Sequence, residues 1–287
     1  MLIASLIARP GTLNSALVEN LRNALGGGTI DWLSPDEAAE FPLETRPGNL
    51  DDIRTAIADQ ADLNLTTATH RRKKMLLADM DSTMIQQECI DELAEEAGVG
   101  AHVKDITARA MNGELDFEAA LIERVKLLKG LSDSVIDTVM AERITLMPGG
   151  KALLATMHAN GAHCALVSGG FTAFTTRVSA QLGFDENRAN TLMIEDGTLT
   201  GEVGRPILGR KAKVSALNEI TARIGISEQD VIAVGDGAND LGMLGRAGMG
   251  VALHAKPSVQ AKCDLRVNHG DLTALLYLQG YTSADFV

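Results

Sequence analysis

The chain has 287 residues, of which 45% are hydrophobic but only 3% aromatic, so one or two folded domains must rest on aliphatic packing, and large aromatic recognition platforms are excluded. Its 26 basic and 38 acidic side chains leave a net charge of −12 and a pI of about 4.9. That balance argues against a broad nucleic-acid or anionic-membrane surface, though not against a small phosphate-bearing substrate.

The apolar opening Met1 to Ala8 is followed at once by Arg9 and Pro10, which makes it a strand and too short for an export signal. No later run approaches the roughly 18 apolar residues of a membrane span. A Leu13/Leu17/Leu21 stripe, a short strand from Thr29 to Leu33 and a weaker helix from Leu50 to Ala58 describe a small α+β unit over residues 1–70. Gly26, Gly27 and Gly28 read as a turn between helix and strand rather than as a phosphate cradle. Residues 1–69 carry 4 basic and 10 acidic side chains, and His70, Arg71, Arg72, Lys73 and Lys74 then form an abrupt basic run. The change marks a domain junction, and the run is expected to be a solvated approach to the next strand. With no interleaved aromatic residue it makes a poor nucleic-acid patch.

A second unit, residues 75–287, opens with the apolar strand Met75 to Ala78. Further strands are expected at Cys164 to Val167 and Val231 to Val234, with extensions near Met249 to Leu253 and Leu265 to Val267. Three strand ends then converge on one crevice. Four helices, near Glu88 to Ala97, Val103 to Met111, Phe117 to Lys129 and Ser132 to Met140, exceed one crossover connection. They form a helical cap over approximately 88–147, with Leu121, Val125 and Leu128 as its core stripe. Asn190 to Gly204 reads as a hairpin turning at Asp196-Gly197, and Ala216, Leu217, Ile220 and Ile224 as the stripe of a later helix. Cys89, Cys164 and Cys263 lie far apart and lack metal-ligand spacing, which favours a reducing cytoplasm.

Asp79 and Asp81 directly follow the first strand of the second unit, two residues apart, so both carboxylates can face one polar pocket. One can attack while the other handles protons, a division suited to phosphoryl transfer through an aspartyl-phosphate on Asp79. Asp236 follows another strand within Gly235-Asp236-Gly237-Ala238-Asn239-Asp240. Oxygen ligands from Asp79, Asp236 and the Asp81 backbone carbonyl suit Mg²⁺. The Ser168 hydroxyl and the amides of Gly169 and Gly170 can bind an oxyanion, whereas a Ser/His mechanism lacks an indicated base for Ser168. Lys213, with Lys211 as its local competitor, can offset phosphate charge, and Asn239 can add an oriented donor. Taken singly, each motif is also an ordinary turn or surface feature.

Asp79-Met80-Asp81-Ser82-Thr83, Ser168-Gly169-Gly170, Lys213 and Gly235-Asp236-Gly237-Ala238-Asn239-Asp240 together resemble the four ordered motifs of the haloacid-dehalogenase-like phosphatases. Within that superfamily, Met75 to about Val267 is similar to the phosphoserine phosphatase family, through the inserted helices as well as the framework. The resemblance implies an α/β fold: a Rossmann-like core with a helical cap inserted after its first strand. It also implies an Asp79 nucleophile, an Asp81 acid/base, and Mg²⁺ held by Asp79, Asp81 and Asp236 with Asp240 in support. Phosphate contacts fall to Ser168, Gly169, Lys213 and Asn239. Glu88 would meet the amino group of O-phosphoserine, Arg124 its carboxylate, and Met111 and Phe117 would shape the pocket, in the last step of serine biosynthesis. Residues 1–70 resemble an ACT-type module by element order, leaving ligand binding, homodimerisation and simple stabilisation all open as its role. The rival readings are a related small-molecule phosphatase or phosphotransferase, and a catalytically silent regulatory or scaffold protein.

Overall fold

The computed structural model describes residues 1–111 and 114–287, Met111 by its backbone alone. The first unit runs β1 (Leu2–Ile7), α1 (Ser15–Leu25), β2 (Asp31–Ser34), β3 (Ala38–Leu43), α2 (Leu50–Ala56) and β4 (Asp62–Thr67). Its strands form an antiparallel sheet in the order β2-β3-β1-β4, and Val18, Leu21, Phe41 and Leu63 belong to its core. The Asn14 side chain caps α1 by accepting from the Ala16 amide, so Leu13 is buried just ahead of the helix rather than on its stripe. Gly26 closes α1 in the left-handed conformation at φ 65°, a helix stop as the triple glycine suggested. Strand β3 was not foreseen, because Ala38, Ala39 and Pro42 are poor strand formers. Pro42 is tolerated there because pairing with β2 goes no further than Glu40.

The second unit begins with β5 (Met75–Ala78) and continues into the cap helices α3 (Cys89–Glu96), α4 (Gly100–Met111), α5 (Phe117–Lys126) and α6 (Ser134–Glu142). After α7 (Gly150–Ala159) come β6 (His163–Phe171), α8 (Thr172–Leu182), β7 (Glu186–Asn190), and the hairpin β8 (Leu192–Glu195) and β9 (Thr198–Val203). The hairpin turns through Asp196 and Gly197 at φ 47° and 73°, as a type I′ turn requires. The chain ends with α9 (Arg210–Ile224), β10 (Val231–Gly235), α10 (Leu241–Leu244), β11 (Met249–Leu253), α11 (Pro257–Gln260), β12 (Leu265–Val267) and α12 (Ala274–Leu278). Six parallel strands lie in the order β12-β11-β10-β5-β6-β7. Edge strand β7, the polar run Glu-Asn-Arg-Ala-Asn, carries no strand signal of its own.

Alternation along the three central strands separates two cores. Leu76, Ala78, Cys164, Leu166, Ile232 and Val234 face one layer, which continues into the cap through Leu93, Val103, Leu121 and Val125. Met75, Leu77, Ala165, Val167, Val231 and Ala233 face the other, covered by α9 through Ala216, Leu217 and Ile220. With both faces covered, the open place on this sheet is the crevice at the carboxyl ends of β5, β6 and β10.

The basic run at the junction is a solvated approach only in part: His70, Arg72 and Lys74 are exposed, while Arg71 is half-buried and Lys73 buried. Arg71 makes a two-pronged pair with Glu40 at 2.9 and 2.6 Å, and the Arg72 guanidinium stands 4.2 Å from the centre of the Tyr281 ring. The buried Lys73 donates to the Gln229 carbonyl at 2.7 Å, and Lys74 pairs with Asp230. Beside it, the Asn64 amide bonds both backbone groups of Arg266 on edge strand β12, at 2.8 Å each. Asp62 accepts from the amides of Asn268 and His269. Arg71, Asn64 and Asp62 stitch the small unit onto the second one, while Lys73 and Lys74 fix the linker to the turn before β10. With side chains only 10% and 12% exposed, Arg71→Ala leaves Glu40 without its partner. A loss of about 3 kcal/mol in urea unfolding is expected. Trp32, the single tryptophan, reports on the small unit in that titration, and an unchanged midpoint would deny the pair a structural role.

Candidate active site

The end of β5 delivers the first two acids. The Asp79 amide donates to the Val234 carbonyl at 3.0 Å, carrying the pairing with β10 one residue past the strand. Asp79 Oδ1 accepts from the Met80 amide and from Lys213 Nζ, each at 2.7 Å. At Ser82 the backbone turns through φ 53°, and the Ser82 amide bonds the Gln87 carbonyl at 3.1 Å, which folds Glu88 back over the acids. Asp81 Oδ1 accepts from the Cys89 amide at 2.8 Å, satisfying an N–H that the first turn of α3 leaves without a helical partner. Its Oδ2 accepts from Ser168 Oγ at 3.2 Å. Burial pushes the carboxyl groups of Asp79 and Asp81 above the usual carboxylate range.

From the end of β6, Ser168 Oγ also accepts from the Gly170 amide at 2.8 Å. The glycines matter for space. A Cβ on Gly170 would stand 2.5 Å from Asp81 Oδ2, and one on Gly169 would stand 2.6 Å from Cζ of Phe117. Asn190 fixes this segment: its buried amide donates to the carbonyls of Gly169 at 2.8 Å and Leu208 at 3.1 Å, and accepts from the Leu208 amide at 2.7 Å. The end of β6 and the entry to α9 are thereby tied together. Asn190 was missed from sequence because it stands in the unforeseen β7, next to no motif.

Lys213, in the first turn of α9, is 2% exposed and bridges Asp79 and Asp240 at 2.7 and 2.6 Å. Burial opposes its charge, but Asp240 and Asp79 more than offset that and hold the ammonium above its ordinary value. Lys211 is exposed; of the two competing lysines, Lys213 is the one that reaches the acids. Asp240 Oδ2 also accepts from the Gly237 amide at 3.0 Å, which shapes the turn after β10 around Asp236. Burial and then Asp240 raise Asp236 to about 7.

The buried carboxylate oxygens of Asp79, Asp236 and Asp240 lie within 4.8 Å of one another. Lys213 is the cation bonded within this cluster, to Asp79 and Asp240, with Lys256 acting on Asp236 from farther off. An all-oxygen donor set with surplus negative charge fits a hard divalent cation. Within that cluster both oxygens of Asp240 are engaged, Oδ1 by Lys213 and Oδ2 by the Gly237 amide, and the Asp81 side chain lies outside it. Asn239 adds a buried amide oxygen that has no hydrogen-bond partner among the described residues.

The cap closes the crevice. Asp79, Asp81, Glu88, Phe117, Arg124 and Asn239 line one cavity. Glu88 accepts from Ser82 Oγ at 2.6 Å, and burial, then Asp81 and Asp236, push its carboxyl well up. Arg124 is 5% exposed, and its bonds go to uncharged oxygens, those of Ala120 and Thr107. Among the described residues neither Glu88 nor Arg124 forms an ion pair. The side chain of Met111 lies outside the described residues.

Residues 76–245 match the haloacid dehalogenase-like hydrolase family. Among curated proteins, a phosphoserine phosphatase of Streptomyces coelicolor is 40% identical over 98% of this chain and 70% of its own length. One of Polaromonas is 43% identical over 83% of this chain and 98% of its own. A solved phosphoserine phosphatase with a phospho-aspartyl intermediate analogue superimposes with a TM-score of 0.69 at 41% identity, covering 72% of this chain and 98% of that one.

Proposed function

The chain belongs to the haloacid dehalogenase-like hydrolases, and from that membership we propose that its cavity hydrolyses O-phosphoserine to serine and phosphate through an aspartyl-phosphate. The observation that carries this substrate is the shared lining: Glu88 and Arg124, of opposite charge and unpaired with each other, face the same cavity as Asp79 and Asp81. A zwitterionic amino acid meets both, its ammonium at Glu88 and its carboxylate at Arg124.

Asp79, held by Lys213, attacks the phosphorus, and the serine oxygen leaves. Asp81, fixed by Cys89 and Ser168, gives that oxygen its proton and then takes one from the water that cleaves the acyl phosphate. Ser168, the Gly169 amide, Lys213 and Asn239 surround the transferred group and oppose its charge. Asp79 and Asp236, with the Asp81 carbonyl and with Asp240 in support, would hold Mg²⁺, which when bound keeps the acids ionised and screens the phosphate charge. Phe117, packed on Gly169, covers the site and excludes water. Among the described residues no helix is long and apolar enough to cross a membrane. A reducing cytoplasm suits the three buried free cysteines.

The test compares O-phosphoserine with O-phosphoethanolamine, which lacks only the carboxylate, with Mg²⁺ and with chelator. Hydrolysis should require the metal and favour phosphoserine in kcat/KM by about 100-fold, the value of one buried charge-assisted pair. Equal turnover of the two esters would transfer the site to another alcohol.

A further inference from the structure

Arg124 is aimed by residues that no motif includes. Its Nε donates to the Ala120 carbonyl one turn back at 3.1 Å, and one terminal nitrogen donates to Thr107 Oγ1 at 2.9 Å. Thr107 Oγ1 in turn donates to Asp91 Oδ1 at 2.6 Å. The three side chains come from three cap helices, α5, α4 and α3, and all are buried, with Arg124 at 5%, Thr107 at 4% and Asp91 at 8% exposed.

A hydroxyl has one proton and two lone pairs. Because Asp91 takes the proton of Thr107, the lone pairs are turned toward Arg124. The polarity of the chain is thus set by the carboxylate at its far end. The remaining terminal nitrogen of Arg124 has no hydrogen bond among the described residues, and Arg124 lines the cavity. Asp91 is close enough to Arg124 for the guanidinium to favour its ionised form against the upward push of burial, without forming an ion pair. That separation matters: a carboxylate bound directly to Arg124 would compete with the substrate, whereas one acting through a hydroxyl holds the guanidinium still and leaves its outer edge free.

We propose that Asp91 and Thr107 are positioning residues that hold the Arg124 guanidinium ready for the substrate carboxylate. This rests on the assignment of Arg124 to that carboxylate. The relay then acts on recognition of the amino-acid end of the ester and not on the phosphoryl step at Asp79.

Thr107→Val preserves shape and removes the acceptor. Its KM for O-phosphoserine should rise about tenfold with kcat within about twofold, while KM for O-phosphoethanolamine stays unchanged. Thr107→Ser should restore the wild-type KM, and Asp91→Ala should follow Thr107→Val. In an Arg124→Ala background, Thr107→Val should add nothing, as expected for residues acting through one group. Equal loss on both esters, or an additive effect in the Arg124→Ala background, would overturn the relay by showing general damage to the cap. If Thr107→Val does not fold, Thr107→Ala and Asp91→Ala carry the same comparison. A wild-type enzyme that does not prefer phosphoserine would instead refute the substrate assignment, independently of the relay.

Discussion

Asp79→Asn is expected to lower kcat for O-phosphoserine by at least about 10⁴-fold, the scale of losing a covalent nucleophile. The amide keeps the shape and the oxygen that Met80 and Lys213 contact, so the site should stay assembled. It removes one of three clustered buried acids, and with it a charge that burial and then Asp240 disfavour. The variant should therefore melt at or above the wild-type temperature. Loss of turnover with retained melting separates chemistry from folding. A folded Asp79→Asn enzyme with wild-type turnover would remove Asp79 from the reaction.

Lys213→Met should cost about 10³-fold in kcat, the upper range for one preorganised charge donor, and about 3 kcal/mol of stability, because Asp79 and Asp240 lose their buried cation. The stability loss has a sign in pH. Without the ammonium, which lowers Asp79 and Asp236, those two carboxyl groups rise further above their unfolded values. The folded form then binds more protons, and stability falls as pH rises from the unfolded carboxylate value toward neutrality. The variant should be closer to wild type at pH 5 than at pH 8. Lys211→Met, on an exposed side chain, should change neither quantity. Parity of the two variants would mean that the bridge from Lys213 to the acids does not contribute.

What was legible in the sequence has a common physical character. Strand β5 is a continuous apolar run that stops at a charged residue, so Asp79 and Asp81 stand out at its end. Lys213 could be preferred over Lys211 through the resemblance to the phosphatase family, whose register the following Leu217-Asn218-Glu219-Ile220 pattern keeps without a gap. Strands β3 and β7 were not legible, since Pro42 and the run Glu186 to Asn190 contradict local strand propensity and are held by their neighbours. Nor were Asn190, Thr107 and Asp91. Each acts through hydrogen-bond partners at least 16 residues away along the chain, and a lone polar residue in a helix or edge strand looks like any solvated one. The basic run was partly misread for a related reason: its counter-charges and its ring lie in Glu40, Asp230 and Tyr281, which only folding brings near.

A covalent phosphoryl group on Asp79 is the central claim, and chemical trapping tests it most directly. Enzyme turning over O-phosphoserine with Mg²⁺ would be quenched in acid and reduced with borohydride, which converts an aspartyl-phosphate to homoserine, and the digest read by mass spectrometry. Homoserine at position 79, dependent on substrate and absent from Asp79→Asn, is the expected result. Full turnover with position 79 unmodified, or reduction at another carboxylate, would contradict the account.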